Sequence, residues 1–206
     1  LVAAPHFAWC ALRPSLIPKE GVSVVDLYAT AAAATALPLK IGTVYVEEVK
    51  TPLFLVAPFG KKLKQVAAVL GNQMGLEWPT AHVMKRAGVA YALWFDHAHI
   101  ALMGFEPSTK LTRYAAVTDV SDGWCIVDVS GPSVRDVLAR LTPLDLRPKS
   151  FKTGMTQRSM IMHMQASITC LGKFRFRMMV FRSMAQTLVH ELTTAMESVA
   201  ARAQKV

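Results

Sequence analysis

The second half of the chain carries the clearer alternation of apolar and polar positions. Residues 124–129, Trp-Cys-Ile-Val-Asp-Val, are β-branched and apolar and predict a buried strand. Ser130-Gly131-Pro132-Ser133 follows, and a proline in the first helical turn gives up no hydrogen bond. Val134, Val137, Leu138 and Leu141 then recur at i, i+3, i+4 and i+7, one face of a helix that Pro143 ends. Residues 144–157 read as a loop with Leu144, Leu146 and Phe151 as apolar anchors, plus Pro148 and Gly154. Strict alternation over 160–170 and again over 174–181, with Gly172 between, predicts two strands in an antiparallel hairpin. Ser183 and Gln186 have capping-box spacing ahead of a last helix. That helix would put Ala185, Leu188, Val189, Leu192, Ala195, Met196 and Val199 on one face.

Strand, helix, strand, strand, helix is the order of a split β-α-β unit, with helices on one face of an antiparallel sheet. The first half repeats the theme more loosely. Strands are expected at 44–49 and 53–57, and a helix over 61–70 with Leu63, Val66, Ala67 and Leu70 inward. A hairpin is expected over 82–86 and 89–95 around Gly88, with further strands at 99–103 and near Val117. The expected fold is therefore α+β, two split β-α-β-like halves with antiparallel sheets. The expected division is an extended N-terminal arm over 1–20, a first half over 21–110 and a second over 111–206. A single continuous domain is the alternative.

Composition sharpens this picture. Hydrophobic residues make up 52% and charged residues 18%, and mean hydropathy is +0.31, so a packed core is expected. The most apolar long stretch, 22–39, contains Asp26 and Pro38 and much alanine, which argues against a membrane span. Apolar excess of this kind fits buried subunit contact better than one large core. Residues 1–18 hold Pro5, Pro14 and Pro18 and no basic stretch ahead of an apolar run, so no signal peptide is expected. Cys10, Cys125 and Cys170 form no CxxC and suggest free thiols in a reducing cytoplasm. The net charge of +9 calls for an acidic partner. The basic residues are scattered, and Arg175 and Arg177 alternate with Phe174 and Phe176 as in a strand with one buried face. A partner subunit is therefore preferred over nucleic acid.

Candidate chemistry is sparse. His97 and His99 form the one metal-like pair, but no third ligand has a telling spacing, and Asp96-His97 reads equally as a turn. His163 and His190 read as structural or solvated. The sequence lacks GxSxG, GxGxxG and P-loop patterns. Arg147 and Lys149 flank Pro148 in an exposed-looking loop, either a solvated turn or a docking contact. The methionines from Met160 to Met164 read as core, with a softness that would suit an adaptable interface.

Several stretches, in order, resemble the gamma subunit family of heterotetrameric sarcosine oxidase. They are Ala92-Leu93-Trp94-Phe95 with 99–103, Thr118-Asp119-Val120-Ser121-Asp122-Gly123-Trp124, and Ser130-Gly131-Pro132 running into Val137-Leu138-Ala139-Arg140-Leu141. Pro143-Leu144-Asp145-Leu146-Arg147-Pro148 with Phe151 follows, then Arg158, His163, Met164, Ser167 and Phe181-Arg182-Ser183. The resemblance covers residues 90–203. It implies a fold like the folate-binding domain of the glycine-cleavage T-protein. It implies assembly with alpha, beta and delta subunits into a complex that oxidises sarcosine to glycine, passing the methyl carbon to tetrahydrofolate and electrons to oxygen. FAD, FMN, NAD and tetrahydrofolate are then expected in the larger subunits and zinc in delta, with no catalytic, cofactor or metal residue in this chain. Arg147, Lys149, Phe151, Arg175 and Arg177 are the candidate subunit-interface residues. A gamma-like subunit of a related N-methyl amino acid dehydrogenase is one alternative. A free-standing folate-binding accessory protein is another, but its K-G-C-Y-x-G-Q signature is missing from this sequence.

Overall fold

A computed structural model describes residues 36–203. Two antiparallel sheets stack face to face, with helices on both outer faces. Along the chain come β1 (Leu39–Ile41), β2 (Val44–Glu48), β3 (Leu53–Pro58), α1 (Leu63–Met74), β4 (Met84–Ala87), β5 (Ala90–Trp94), β6 (Ile100–Met103) and β7 (Ala115–Asp119). Then follow β8 (Trp124–Ser130), α2 (Val134–Leu138), β9 (Thr156–Ile161), β10 (Met164–Gly172), β11 (Arg175–Phe181) and α3 (Ala185–Ala203). The six-stranded sheet has the order β1-β2-β8-β11-β10-β9, and the five-stranded sheet β4-β5-β6-β3-β7. The larger sheet thus takes two strands from before residue 50 and four from after 123. The smaller sheet is built entirely from the chain between them.

Side-chain alternation sorts each strand between two cores. Cys125, Val127 and Val129 of β8 and Phe176, Met178 and Val180 of β11 pack with Leu188, Val189 and Leu192 of α3. The opposite faces of the same strands give Trp124, Ile126 and Met179, which meet Leu53, Leu93, Ala101 and Met103 of the smaller sheet. On the far side of that sheet, Val66 and Leu70 of α1 cover Val56, Ile100 and Leu102. The layers run helix, sheet, sheet, helix. This stacking is why β8 is buried at nearly every position and reads as a continuous apolar run.

The helical faces fall where periodicity puts them. Val134, Val137, Leu138 and Leu141 are all buried, as are Ala185, Leu188, Val189, Leu192, Ala195 and Met196, while Val199 is partly buried. On α1, Val66 and Leu70 are buried, but Leu63 in the first turn is 43% exposed. That helix continues to Met74, where Gly75 at φ 67 closes it with a backbone bond to the Gly71 carbonyl. No Ser183 cap starts α3. A 3-10 turn over Arg182–Met184 without a side-chain cap leads into it.

One expected strand is two. The alternating run 160–170 breaks at Met162-His163, and Ile161 pairs with Met164 across the turn. Met162 takes φ 49, unusual for a side chain of its size. Its N–H donates to the Leu141 carbonyl at 2.7 Å, which ties the turn to the chain just after α2. The reversal sends Met160 to the face opposite Met164, so of the methionines expected in the core only Met164 is buried, while Met160 and Met162 are exposed. The second half therefore runs strand, helix, strand, strand, strand, helix.

Gly131 has the most demanding backbone position. It sits at φ 134, and a Cβ there would lie 2.0 Å from the Thr43 carbonyl oxygen. The glycine of the Ser-Gly-Pro stretch thus lets β8 leave the sheet directly against β2.

Candidate functional site

The polar groups of the fold gather at three places. The first is one end of the space between the sheets. Asp128, 1% exposed, accepts from Arg177 Nε at 2.7 Å and Nη2 at 3.0 Å. It also accepts from Arg175 Nη2 at 2.6 Å. Arg175 has a second, looser partner in Glu47 at 3.7 Å. The Asp128 hydrogen bond raises the pKa of Arg175, against the opposing effect of burial. Arg177 is 6% exposed, and its guanidinium lies 5.0 Å from the centre of the Tyr91 ring. The expectation of one buried face at 175–177 is therefore corrected: the smaller sheet covers the face that carries Arg177.

The second is the 143–151 loop. Asp145 accepts from Arg147 Nε at 2.8 Å, Arg147 Nη2 at 2.6 Å and Ser150 Oγ at 2.6 Å. Those side-chain bonds hold the Asp145 carboxyl well below the usual carboxylate range and raise Arg147. Beneath the loop, Arg135 of α2 donates through Nη1 to the Leu146 carbonyl and reaches toward that of Phe151 at 3.4 Å. Its guanidinium lies 4.8 Å from the centre of the Phe176 ring, and Phe151 stacks on the same ring at 6.3 Å. Leu146 and Phe151 are buried, so the apolar letters of this segment anchor it, while Asp145 and Arg135 tie down its polar ones.

The third lies at the other end of the inter-sheet space, where β5 stops and the larger sheet runs on. Trp124 meets Phe95 edge-on at 5.6 Å and Phe181 at 4.7 Å. Arg158 of β9 lays its guanidinium 4.2 Å from the centre of the Phe95 ring and 5.8 Å from that of Trp124. Burial lowers the pKa of Arg158, and Asp96 partly offsets this. Asp96 is itself engaged: Oδ1 accepts from the Ala98 and His99 backbone N–H groups, both at 2.8 Å, and meets His99 Nδ1 at 2.9 Å. The Asp96–His99 stretch is thus a turn joining β5 to β6, and His97 and His99 do not share a strand. Among the described residues, no three His, Cys, Asp or Glu side chains group as a metal site would need.

The structure brings Arg175 and Arg177 together on Asp128 and puts Arg147, Lys149 and Phe151 in the loop over α2. Arg147 and Lys149 are exposed, and Arg175 is half-exposed. Phe151 and Arg177 are turned into the chain's own interior. Sequence reasoning passed over Asp128, although a lone carboxylate inside an apolar strand was the available signal. Arg158 stands among the residues that resemble the family, but neither it nor Arg135 signals a ring contact, because those contacts join residues distant in sequence. Cys125 and Cys170 are buried free thiols, and burial pushes Cys125 up to about 11. Cys10 lies outside the described residues. No described helix is long and apolar enough to cross a membrane.

A solved structure shares this fold. A chain of the heterotetrameric sarcosine oxidase from Corynebacterium sp. U-96, in complex with pyrrole 2-carboxylate, superposes with a TM-score of 0.70 at 20% identity, over 83% of this chain and 96% of that one. The glycine cleavage system aminomethyltransferase T from Bartonella henselae overlaps with a TM-score of 0.49 at 12% identity, over 74% of this chain and 46% of that one. No curated protein matches the sequence. The family model described as "Sarcosine oxidase, gamma subunit family" matches residues 62–197, well over half of the chain. The chain belongs to the sarcosine oxidase gamma subunit family.

Proposed function

We propose that this chain is the non-catalytic, structural gamma subunit of a heterotetrameric sarcosine oxidase. Its partners are the alpha, beta and delta subunits, and the larger flavin-bearing subunits carry out the oxidative demethylation of sarcosine to glycine. FAD, FMN, NAD, tetrahydrofolate and zinc belong to those partners. The observation that carries this reading is the family match over residues 62–197. The way the polar groups are used supports the non-catalytic part. Asp128, Asp145 and Asp96 each face internal donors that fix backbone or sheet packing, which suits a scaffold. The net charge of +9 favours acidic surfaces on the partners, an effect that mainly sets orientation and association rate.

The test is purification of the tagged full chain from its native host at near-physiological salt, with an absorption spectrum of the eluate. The expected result is a yellow assembly with larger subunits, from which this chain separates colourless. A chain that elutes alone, or that keeps the flavin itself, would overturn the proposal.

A further inference from the structure

The aromatic end of the inter-sheet space is an unfinished contact. Arg158 is half-buried against Phe95 and Trp124, yet among the described residues its guanidinium has no hydrogen bond and no ion pair within 4 Å. Of the other arginines held against rings, Arg177 binds Asp128, Arg135 binds two carbonyls and Arg86 donates to the Gly88 carbonyl, while Arg113, over Tyr114, is exposed to solvent. The acid near Arg158, Asp96, is spent on its own turn. Arg158 opens into a recess that Trp94, Phe95, Asp96, Ser159, Met160 and Gln165 also line, with the Asp96 carboxylate turned to its own backbone and His99. Apolar surface continues from that recess, with Met160 37% and Phe181 46% exposed. Met160 lies on β9, an edge strand of the larger sheet. A desolvated cation with spare donors beside exposed methionine and phenylalanine fits a carboxylate flanked by apolar side chains.

We infer that the Arg158–Met160–Phe181 surface docks a segment of a larger partner subunit, one that sets an Asp or Glu on the Arg158 guanidinium and apolar side chains on Met160 and Phe181. This rests on the subunit reading above. Charge complementarity selects the occupant: the chain as a whole carries +9, and the Arg158 guanidinium has no carboxylate within 4 Å, Asp96 acting on it only from farther off. The carboxylate would receive two parallel N–H bonds, and the rings behind Arg158 would hold the guanidinium plane in place.

The test uses the full chain produced with the subunits it co-purifies with. Wild-type assembly checks the subunit reading alone, and failure there sinks that reading rather than this surface. Given wild-type assembly, Arg158→Glu and Met160→Asp should each weaken it at least tenfold. Met160→Asp changes an exposed side chain and should fold normally, so it decides the matter if Arg158→Glu is unstable. A photo-crosslinking residue at position 160 should capture a larger-subunit peptide that contains Asp or Glu beside apolar residues. Wild-type affinity in Met160→Asp would overturn the inference. So would a crosslink to a second copy of this chain, or no crosslink in an assembled complex.

Discussion

The two ends of the inter-sheet space solve the same problem in opposite ways. At one end Arg177 lies against Tyr91 and hands its charge to Asp128, so the pair is closed inside the fold. At the other, Arg158 lies against Phe95 and Trp124 and keeps its donors unspent. Both arginines come from the larger sheet, and both face the smaller one. They differ in how far the smaller sheet reaches over them. A buried cation requires a counterion within the chain, whereas one at an open margin can wait for a partner's. The closed end reads as architecture and the open end as recognition.

This contrast can be broken by substitution. Asp128→Ala should have the largest effect, because it strands Arg177 in the interior with no carboxylate. A loss of about 3–5 kcal/mol is expected in urea unfolding. A loss below about 1 kcal/mol would mean the closed end is solvated after all. Arg177→Met should cost less, about 2 kcal/mol, since Asp128 keeps Arg175 while it loses two charged hydrogen bonds. If the two variants cost the same, Arg175 contributes nothing to the cluster. Arg158→Gln should lower stability by only about 0.5–1 kcal/mol, the worth of a partly exposed cation–π contact. Its main effect should appear in assembly, measured by titrating the variant against the larger subunits. Glu47→Gln should be the mildest, within about 0.5 kcal/mol, because its partner Arg175 is half-exposed and the 3.7 Å contact is long. A thermal melt reads it.

Much of this architecture was legible where the signal is local and repeated. The nineteen-residue α3 repeats its apolar face often enough that six of seven assigned positions are buried, with Val199 partly so. The Gly88 hairpin was legible because glycine at φ 60 marks its turn. The β9–β10 turn was not, since Met162-His163 holds none of the usual turn residues and the alternation passes through it unbroken. Nor was the burial of Arg177. Its alternation with Phe176 and Met178 is that of a half-exposed strand, and only β5 and β6, some eighty residues earlier, turn that face inward. Among the candidate interface residues, Phe151 and Arg177 proved internal for the same reason: their partners Phe176 and Asp128 are far off in sequence. The Ser-Gly-Pro and Pro-Leu-Asp-Leu-Arg-Pro stretches stood out by resemblance. The structure gives each a physical basis, the close pass of Gly131 by Thr43 and the Asp145 clamp on Arg147 and Ser150.

The central claim is that this chain is built to complete a larger assembly rather than to act alone. The most direct measurement is sedimentation velocity on the chain expressed by itself and then together with the larger subunits of its host. The account predicts that the co-expressed chain sediments wholly within the large flavin-containing species and that Arg158→Glu releases it. A chain that sediments as a 22.6 kDa monomer in both preparations would contradict the account.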